Sequence, residues 1–360
     1  MRRFGTARAV GLAFATLVAA SESDVRSGPV RDTSASAGPI EKHRGLSWVG
    51  GRRPVTAVDF DRLVENGVDW IAQNPFGWQR GLHSPEIALA TSRAWWGETD
   101  EGIGVTTHLA QERGIRTLLR PHVWLSDVPD GAWLGDIAMK DEADWARWFA
   151  SYERFILHYA RLAEHLGVEA FSVGAELRTA TTTREADWRR VIARVREVYG
   201  GQLTYAANWH AEFEAIGFWD ALDFVGIQAY FPLVDAGAPK VSELEAAWRP
   251  HVEKIERVAR RVGKPVVFTE VGYRSAPAAT GRPWEWLRER SEPATEAGLR
   301  LQADAYEALF RTFWRRKWFE GAYIWKWFPG LERAGAVRTA DFSPQNKPAE
   351  RVLARWYRGS

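Results

Sequence analysis

The sequence predicts a single closed (β/α)8 TIM barrel, and three observations support this fold. From residue 45 onward, eight short apolar runs alternate with segments of helical periodicity. Continuous apolar runs are typical of parallel strands that are covered on both faces by helices. The length of 360 residues suits one barrel domain. An open, doubly wound sheet is the alternative, but no glycine-rich phosphate loop follows an early strand.

The eight predicted strands are Gly45–Val49, Val68–Asn74, Ile115–Val123, Ala170–Gly174, Leu203–Ala207, Phe224–Ala229, Val266–Thr269 and Ala322–Trp325. The clearest helix between them is predicted over Asp141–Leu166, where large apolar residues recur at three- and four-residue steps. Gly167 is placed to end that helix. Pro250 predicts a kink or break in a later helix. In a barrel the active site lies where strands end, so the polar residues there are the functional candidates.

The composition narrows the classes of function. The 48 basic and 46 acidic residues leave a net charge of +2, which gives no support for a nucleic-acid partner. Without cysteine, the chain has no disulfides and no thiol nucleophile. The eight histidines lack metal-binding spacing, so neither a metal nor another cofactor is expected. Most of the 20 tryptophans should pack in the core, but tryptophan also offers a flat surface for a sugar ring.

The first residues have the pattern of an export signal. Arg2 and Arg3 precede the apolar stretch Ala9–Ala20, and polar residues follow it. This predicts a cleavable secretory signal over residues 1–20, which is too short for a membrane span. The alternative is that the start of the sequence is placed too early and that the alanine-rich first residues are simply disordered. Residues 21–43 are predicted to be a linker and residues 44–360 the catalytic domain, in a protein exported to the periplasm or the medium.

Two glutamates end two of the predicted strands. Glu176 follows the fourth strand and Glu270 follows the seventh, so the two should face each other across the barrel mouth. A protonated and an ionised carboxyl group are the minimum for cleaving a glycosidic bond. A separation of about 5–5.5 Å gives retention of configuration, and about 6.5–9.5 Å gives inversion. One such glutamate alone is better explained by a salt bridge, but the pair favours a glycosidase.

Three further residues are candidates for supporting Glu270. Tyr230 ends the sixth strand and is expected to hydrogen-bond the Glu270 carboxylate, although an ordinary rim tyrosine is the alternative. Arg120 and His122 share one side of the third strand, where a cation would keep Glu270 ionised. A hydrogen-bonded structural histidine is the alternative for His122.

Arg120 and His122 are also candidate substrate contacts, as are the strand-end residues Asn74, Trp78, Asn208, Trp209, His210, Trp325 and Trp327. Trp325 and Trp327 lie two apart and should face the same side of an extended segment. One of them is predicted to form the floor under the sugar ring, and the other to pack in the core. The long loop Gln79–Gly97 is predicted to form a wall of the substrate groove.

Six segments resemble glycoside hydrolase family 113, within a large clan of retaining barrel glycosidases; these are WIAQNPFGWQ, FSVGAELR, FVGIQAYFPL, PVVFTEVGYRS, YIWKWFP and FSPQNKPAE. The resemblance covers about residues 45–355, and the family contains β-1,4-mannanases. It implies that Glu176 is the general acid/base and Glu270 the nucleophile. Ala175 departs from the clan, which often has an asparagine there that contacts the sugar 2-hydroxyl; Asn208 could supply a comparable amide.

The expected function is therefore that of a retaining β-glycoside hydrolase acting on β-1,4-mannan or manno-oligosaccharides. One alternative keeps the mechanism but changes the glycan to a glucan, xylan or galactan. Another is a barrel that binds carbohydrate without cleaving it. In each case the partner is an oligosaccharide or polysaccharide, and the sequence leaves the oligomeric state and endo or exo action open.

Overall fold

The predicted (β/α)8 barrel is confirmed, because eight parallel strands close into one barrel. The computed structural model describes residues 42–89, 94–235, 237–285, 293–330 and 339–359. The predicted secretory signal and residues 21–41 of the predicted linker lie outside the described residues. His43, at the end of that linker, already belongs to the first strand. None of the helices in the described ranges is long and apolar enough to cross a membrane.

The described strands, numbered along the chain, are β1 His43–Trp48, β2 Trp70–Gln73, β3 Phe76–Gln79, β4 Ile87–Ala88, β5 Arg116–Leu119, β6 His122–Leu125, β7 Ala170–Ala175, β8 Gln202–Asn208, β9 Val225–Gln228, β10 Val266–Val271 and β11 Phe319–Trp327. The barrel order is β1-β11-β10-β9-β8-β7-β5-β2, with β2 closing on β1. Strands β3, β4 and β6 form a separate three-stranded sheet, which we call the side sheet.

The described α-helices are α1 Asp61–Glu65, α2 Asp100–Gln111, α3 Glu142–Leu166, α4 Arg178–Thr183, α5 Glu185–Arg196, α6 Glu212–Ala215, α7 Val241–Val262, α8 Glu296–Phe313 and α9 Pro348–Arg358. Single turns of 3-10 helix occur at Ala57–Asp59, Trp96–Glu98, Leu134–Asp136 and Phe218–Ala221. The helix predicted over Asp141–Leu166 is confirmed as α3, with Asp141 as its N-cap and Gly167 ending it in the left-handed conformation.

The prediction of one third strand over Ile115–Val123 is wrong. The chain makes two strands instead, β5 in the barrel and β6 in the side sheet, with Pro121 between them. Pro75 stands in the same way between β2 and β3. Proline has no N–H for a strand ladder, so each proline ends a barrel strand and lets the chain turn outward. The side sheet consequently extends from the rim beside β2 and β5.

Pro250 does not break its helix, one of the two outcomes predicted for it, because α7 continues through it. Leu244 and Trp248 before the proline, and Ile255 after it, are fully buried against the barrel. Proline inside a helix costs about 3 kcal/mol. Burying several large apolar side chains recovers about 1.5–3 kcal/mol each, so packing outweighs the local cost.

The interior of the barrel is filled below the rim by one cluster of buried side chains, formed by Trp70, Ala72, Leu118, Ala170, Phe224, Val267 and Tyr323. At its base His43 stacks on Trp70 with ring centroids 4.0 Å apart. The His43 Nδ1 atom lies 2.9 Å from the Tyr323 hydroxyl. A larger cluster fills the space between the strands and the helices. The polar residues of the rim therefore rest on a close-packed support.

Candidate active site

The strand register brings four polar residues to one level of the barrel rim. Asn208 at the end of β8 is paired with Gln228 at the end of β9, and Gln228 is paired with Glu270 on β10. The backbone N–H of Glu176, just after β7, donates to the carbonyl of Ala206 on β8 at 3.0 Å. The two glutamates are therefore at the same open end of the barrel.

Glu270 is held at both carboxylate oxygens. It is 8% exposed, and Arg120 Nη2 donates to its Oε2 atom at 2.6 Å. The Tyr230 hydroxyl donates to Oε1. Burial, followed by the charge of Glu270, raises the pKa of Tyr230 well above its usual value, so the phenol keeps its proton and acts as a donor. An anionic Glu270 thus has a cation and a neutral donor fixed against it.

Arg120 is fully buried and is itself held by several acceptors. Its Nε atom donates to Asn74 Oδ1 at 2.9 Å, and Nη1 donates to Gln228 Oε1 at 3.3 Å and to the Thr269 carbonyl. Since these acceptors follow or belong to β2, β9 and β10, the guanidinium is fixed in the mouth from several sides. Asn74, predicted as a substrate contact, holds Arg120 in place.

Glu176 has a different environment. It is half-buried and has a φ of 54°, a left-handed conformation that costs a non-glycine residue about 1–3 kcal/mol. Burial, followed by the negative charge of Glu270, raises the pKa of Glu176 to about 8. A hydrogen bond from Asn208 Nδ2 to Glu176 Oε1, 2.7 Å long, acts in the opposite direction. The carboxyl group is therefore mainly protonated at neutral pH and can donate a proton.

A third carboxyl group, Glu212 on α6, lies behind Glu176 and was missed by sequence reasoning. It is fully buried and accepts hydrogen bonds from the Asn208 backbone N–H at 2.7 Å and the Tyr205 hydroxyl at 2.8 Å. The Tyr205 oxygen in turn accepts from the Leu177 backbone N–H at 2.6 Å. Glu212 is thus linked through Tyr205 to Leu177, the residue after Glu176. It is also bonded directly to Asn208, which donates to Glu176.

The Glu212 carboxyl group is itself electrostatically perturbed. Burial raises its pKa to about 7, against the opposing effect of its hydrogen bonds. The sequence signal was weak because a glutamate in the short segment EFEA resembles an exposed helical residue. Its position four residues after Asn208 is the feature that could have marked it.

Of Trp325 and Trp327, one was predicted to pack in the core; Trp327 is that residue, so it is not a substrate contact. Trp327 is fully buried in the main core, whereas Trp325 is half-buried at the rim. In the pairing of β1 with β11, Leu46 is opposite Ile324 and Trp48 is opposite Trp327. The extra residue on β11 breaks the alternation of side chains, so the two tryptophans do not share one environment.

His122 and Trp78 lie on the side sheet. Burial, followed by the nearby Arg120, lowers the pKa of His122 well below its usual value, so its ring is neutral. The cation next to Glu270 is therefore Arg120 and not His122. Trp78, expected at the end of the second strand, is on β3, where its ring contacts Trp124 with centroids 6.1 Å apart.

The residues after Asn208 line the rim next to Glu176. The His210 backbone N–H donates to Asn208 Oδ1 at 2.7 Å, which orients the Asn208 amide so that its NH2 group points to Glu176. The His210 side chain is exposed. Trp209 is half-buried and stacks on Trp284, with ring centroids 5.1 Å apart. Across the described ranges, no group of three or more His, Asp or Glu residues could hold a metal ion.

Two carboxyl groups lie at the mouth of this (β/α)8 barrel; one is protonated, and the other is hydrogen-bonded to a cation and a phenol. This arrangement defines a glycoside hydrolase that acts on O-glycosyl bonds. The chain belongs to glycoside hydrolase family 113, whose family model matches residues 51–347. No curated protein matches the chain.

Solved structures agree with this family. The GH113 β-mannanase AaManA from Alicyclobacillus acidocaldarius, in complex with ManMIm, is 30% identical, with a TM-score of 0.75 over 89% of this chain and 98% of that one. A complex of a GH113 β-1,4-mannanase is 26% identical, with a TM-score of 0.74 over 89% and 100% of the two chains. A family 5 mannosidase from Rhizomucor miehei is 10% identical, with a TM-score of 0.62 over 88% and 93%, and shares the fold alone.

The raised pKa of Glu176 predicts an alkaline limit to activity. Because the acid must be protonated, kcat/KM on an unactivated β-glycoside should fall about tenfold per pH unit above about pH 8. An aryl glycoside with a good leaving group needs little protonation and should show a much weaker fall. The check is a pair of pH–rate profiles; an unactivated substrate whose profile stays level far above pH 8 would contradict the assignment.

Replacing the charge of Glu212 tests its effect on Glu176. The negative charge of Glu212 contributes to the raised pKa of Glu176, so Glu212→Gln should move the alkaline limit of kcat/KM to lower pH. It should also lower kcat by about tenfold or more, because misplaced catalytic groups react slowly. The matched control is Glu214→Gln on the same helix, which is partly exposed and should leave the profile unchanged. An unshifted limit in Glu212→Gln would show that the Glu212 charge does not reach Glu176.

Proposed function

We propose that this glycoside hydrolase is a retaining β-1,4-mannanase that cleaves mannan or manno-oligosaccharides by double displacement. The observation that carries the proposal is the contrast between Glu176, whose pKa is raised to about 8, and Glu270, which Arg120 and Tyr230 hold at both oxygens. The mannan substrate is supported by the two β-mannanase structures that are 30% and 26% identical. The structural relatives give no support to a glucan, xylan or galactan in its place.

In the first step, a Glu270 oxygen attacks the anomeric carbon while the bond from that carbon to the glycosidic oxygen breaks. Glu176 gives its proton to the departing oxygen, so the leaving sugar is released as an alcohol. Since Asn208 donates to Glu176 Oε1, the Oε2 atom is the one available to carry the proton. The product is a glycosyl ester of Glu270, and Glu176 is left as a carboxylate.

In the second step, the ionised Glu176 takes a proton from a water molecule as the water oxygen attacks the anomeric carbon. The ester bond to Glu270 breaks, its carboxylate returns to Arg120 and Tyr230, and Glu176 regains its proton. Two inversions at one carbon give net retention. Trp325, half-buried at the end of β11, is the proposed floor under the ring that is attacked.

The position of Ala175 bears on recognition of the sugar 2-hydroxyl. Ala175 is 2% exposed and has no polar side chain, so it cannot make the contact that an asparagine makes there in much of the clan. The Asn208 amide is the nearest candidate to Glu176, but its oxygen already accepts from His210 N and its nitrogen donates to Glu176. We infer that any contact of Asn208 with the sugar is made in addition to its role in orienting Glu176.

Removal of the nucleophile tests the mechanism. Glu270→Ala should lower kcat on a manno-oligosaccharide by on the order of 10⁴-fold, because no covalent intermediate can form. Azide should partly restore turnover with an activated substrate and give a glycosyl azide of inverted configuration. Glu253→Ala, on the exposed side of α7, is the matched control and should retain full activity. Proton NMR of the wild-type products gives the anomer directly; an initial α-anomer, or an active Glu270→Ala variant, would refute double displacement.

We also propose that the enzyme acts outside the cytoplasm, on the basis of the signal-like pattern of residues 1–20. When the chain is produced with its full leader, the exported fraction should contain a protein whose N-terminus lies close to residue 21. Mass spectrometry of the periplasmic and medium fractions measures this. An intact Met1 found solely in the cytoplasmic fraction would contradict export.

A further inference from the structure

One face of the side sheet presents four ring side chains to the open side of the barrel rim. Side chains alternate along a strand, so Phe76 and Trp78 on β3 share a face with His122 and Trp124 on β6, their register partners. We call Phe76, Trp78, His122 and Trp124 the aromatic platform. Trp124 is 52% exposed, and the other three are half-buried.

The rings of the platform contact one another and form one continuous surface. The Trp124 ring lies 5.7 Å from Phe76 at an interplanar angle of 88°, and 6.1 Å from Trp78 at 54°. The Phe76 ring lies 6.1 Å from His122. A contiguous apolar surface that stays exposed on a soluble protein is typical of a binding site.

The opposite face of the side sheet packs tightly against α3. A Cβ atom on Gly77 would lie 2.7 Å from the Phe155 ring, so the strand touches the helix directly. Gln79 is fully buried and accepts a hydrogen bond from Trp148 Nε1 at 2.9 Å. The platform is therefore set in place before any ligand arrives, which lowers the entropy cost of binding.

The platform is continuous with the catalytic centre. Arg120, which donates to Glu270, and Asn74, which accepts from Arg120, each lie two residues before a platform residue. At about 3.3 Å per extended residue, the Trp124 Cα lies at most about 13 Å along the chain from that of Arg120. The platform therefore starts two residues beyond the side chains that hold Glu270, and its far end lies within about 13 Å of Arg120 along the chain.

The chemistry of the platform fits an uncharged sugar chain. Its three apolar or indole rings offer flat surfaces on which the C–H faces of pyranose rings pack. The half-buried ring of His122 is neutral and packs beside Phe76, so it adds no charge to the surface. None of the four side chains carries a charge that would select an anionic ligand.

We propose that the aromatic platform is a distal sugar-binding subsite, which holds further pyranose rings of the glycan whose glycosidic bond lies between Glu176 and Glu270. The inference rests on the proposed function and adds the substrate length that the enzyme prefers. Rings bound at the platform anchor the chain, and their binding energy is used to place the scissile bond against the two carboxyl groups.

The test compares Trp124→Ala with wild type on manno-oligosaccharides of increasing length. Because Trp124 is 52% exposed, its removal leaves the core intact. For chains long enough to reach the platform, kcat/KM should fall by about tenfold or more, whereas the shortest chain that is cleaved should change by less than about twofold. Trp124→Phe, which keeps an aromatic ring, should restore most of the loss on long chains.

The matched control is Trp318→Ala. Trp318 directly precedes β11 and so lies at the opposite end of the barrel from the rim. This variant should keep the wild-type dependence on chain length. As a second measurement, calorimetry on Glu270→Ala should show about tenfold weaker binding of the longest chain when Trp124→Ala is added.

The outcomes separate this proposal from the proposed function. If the wild-type enzyme cleaves no manno-oligosaccharide, the proposed function fails and the subsite proposal fails with it. If it cleaves all lengths and Trp124→Ala loses activity equally on every length, or on none, the subsite proposal alone is overturned. A Trp124→Ala variant with unchanged kinetics that converts a dimer to a monomer would assign the platform to a second copy of the chain and would also overturn it.

Discussion

The contact between Arg120 and Glu270 organises the barrel mouth. Arg120 has no exposed surface and donates to Glu270, to Asn74 and to the Thr269 carbonyl, so one side chain joins the ends of several strands. Removing one partner of a buried ion pair costs about 3–5 kcal/mol, since the other charge is left uncompensated. The position of Glu270, the proposed nucleophile, is therefore coupled to the stability of the barrel itself. The side-sheet strands β3 and β6 begin two residues after Asn74 and Arg120.

The carboxyl groups of Glu270 and Glu176, the two proposed catalytic residues, differ because their neighbours differ. Glu270 receives hydrogen bonds from a guanidinium and a phenol, whereas Glu176 receives one from the neutral amide of Asn208. The charge of Glu270 then acts on Glu176 and, together with burial, raises its pKa. These two environments suit Glu176 to the proposed role of acid and Glu270 to the proposed role of nucleophile. The buried Glu212 extends this charge network behind Glu176.

The sequence predicted the elements that depend on local pattern. Each barrel strand is a short apolar run, and the glutamates at the ends of β7 and β10 are visible because a charged residue terminates such a run. The features it missed depend on contacts between distant residues. Pro75 and Pro121 create the side sheet together, Glu212 is buried by packing of α6, and an irregular pairing of β1 with β11 separates Trp325 from the buried Trp327. Contacts of this kind leave no periodic pattern in the local sequence.

The most direct test of the account is to trap the glycosyl-enzyme. A 2-deoxy-2-fluoro manno-oligosaccharyl fluoride with a β linkage forms the covalent intermediate quickly and releases it slowly, because fluorine destabilises both transition states. Intact mass spectrometry should show one added glycosyl group, and peptide mapping should place it on Glu270. An adduct on Glu176, or inactivation without any covalent mass increase, would contradict the central claim that the carboxylate held by Arg120 and Tyr230 is the nucleophile.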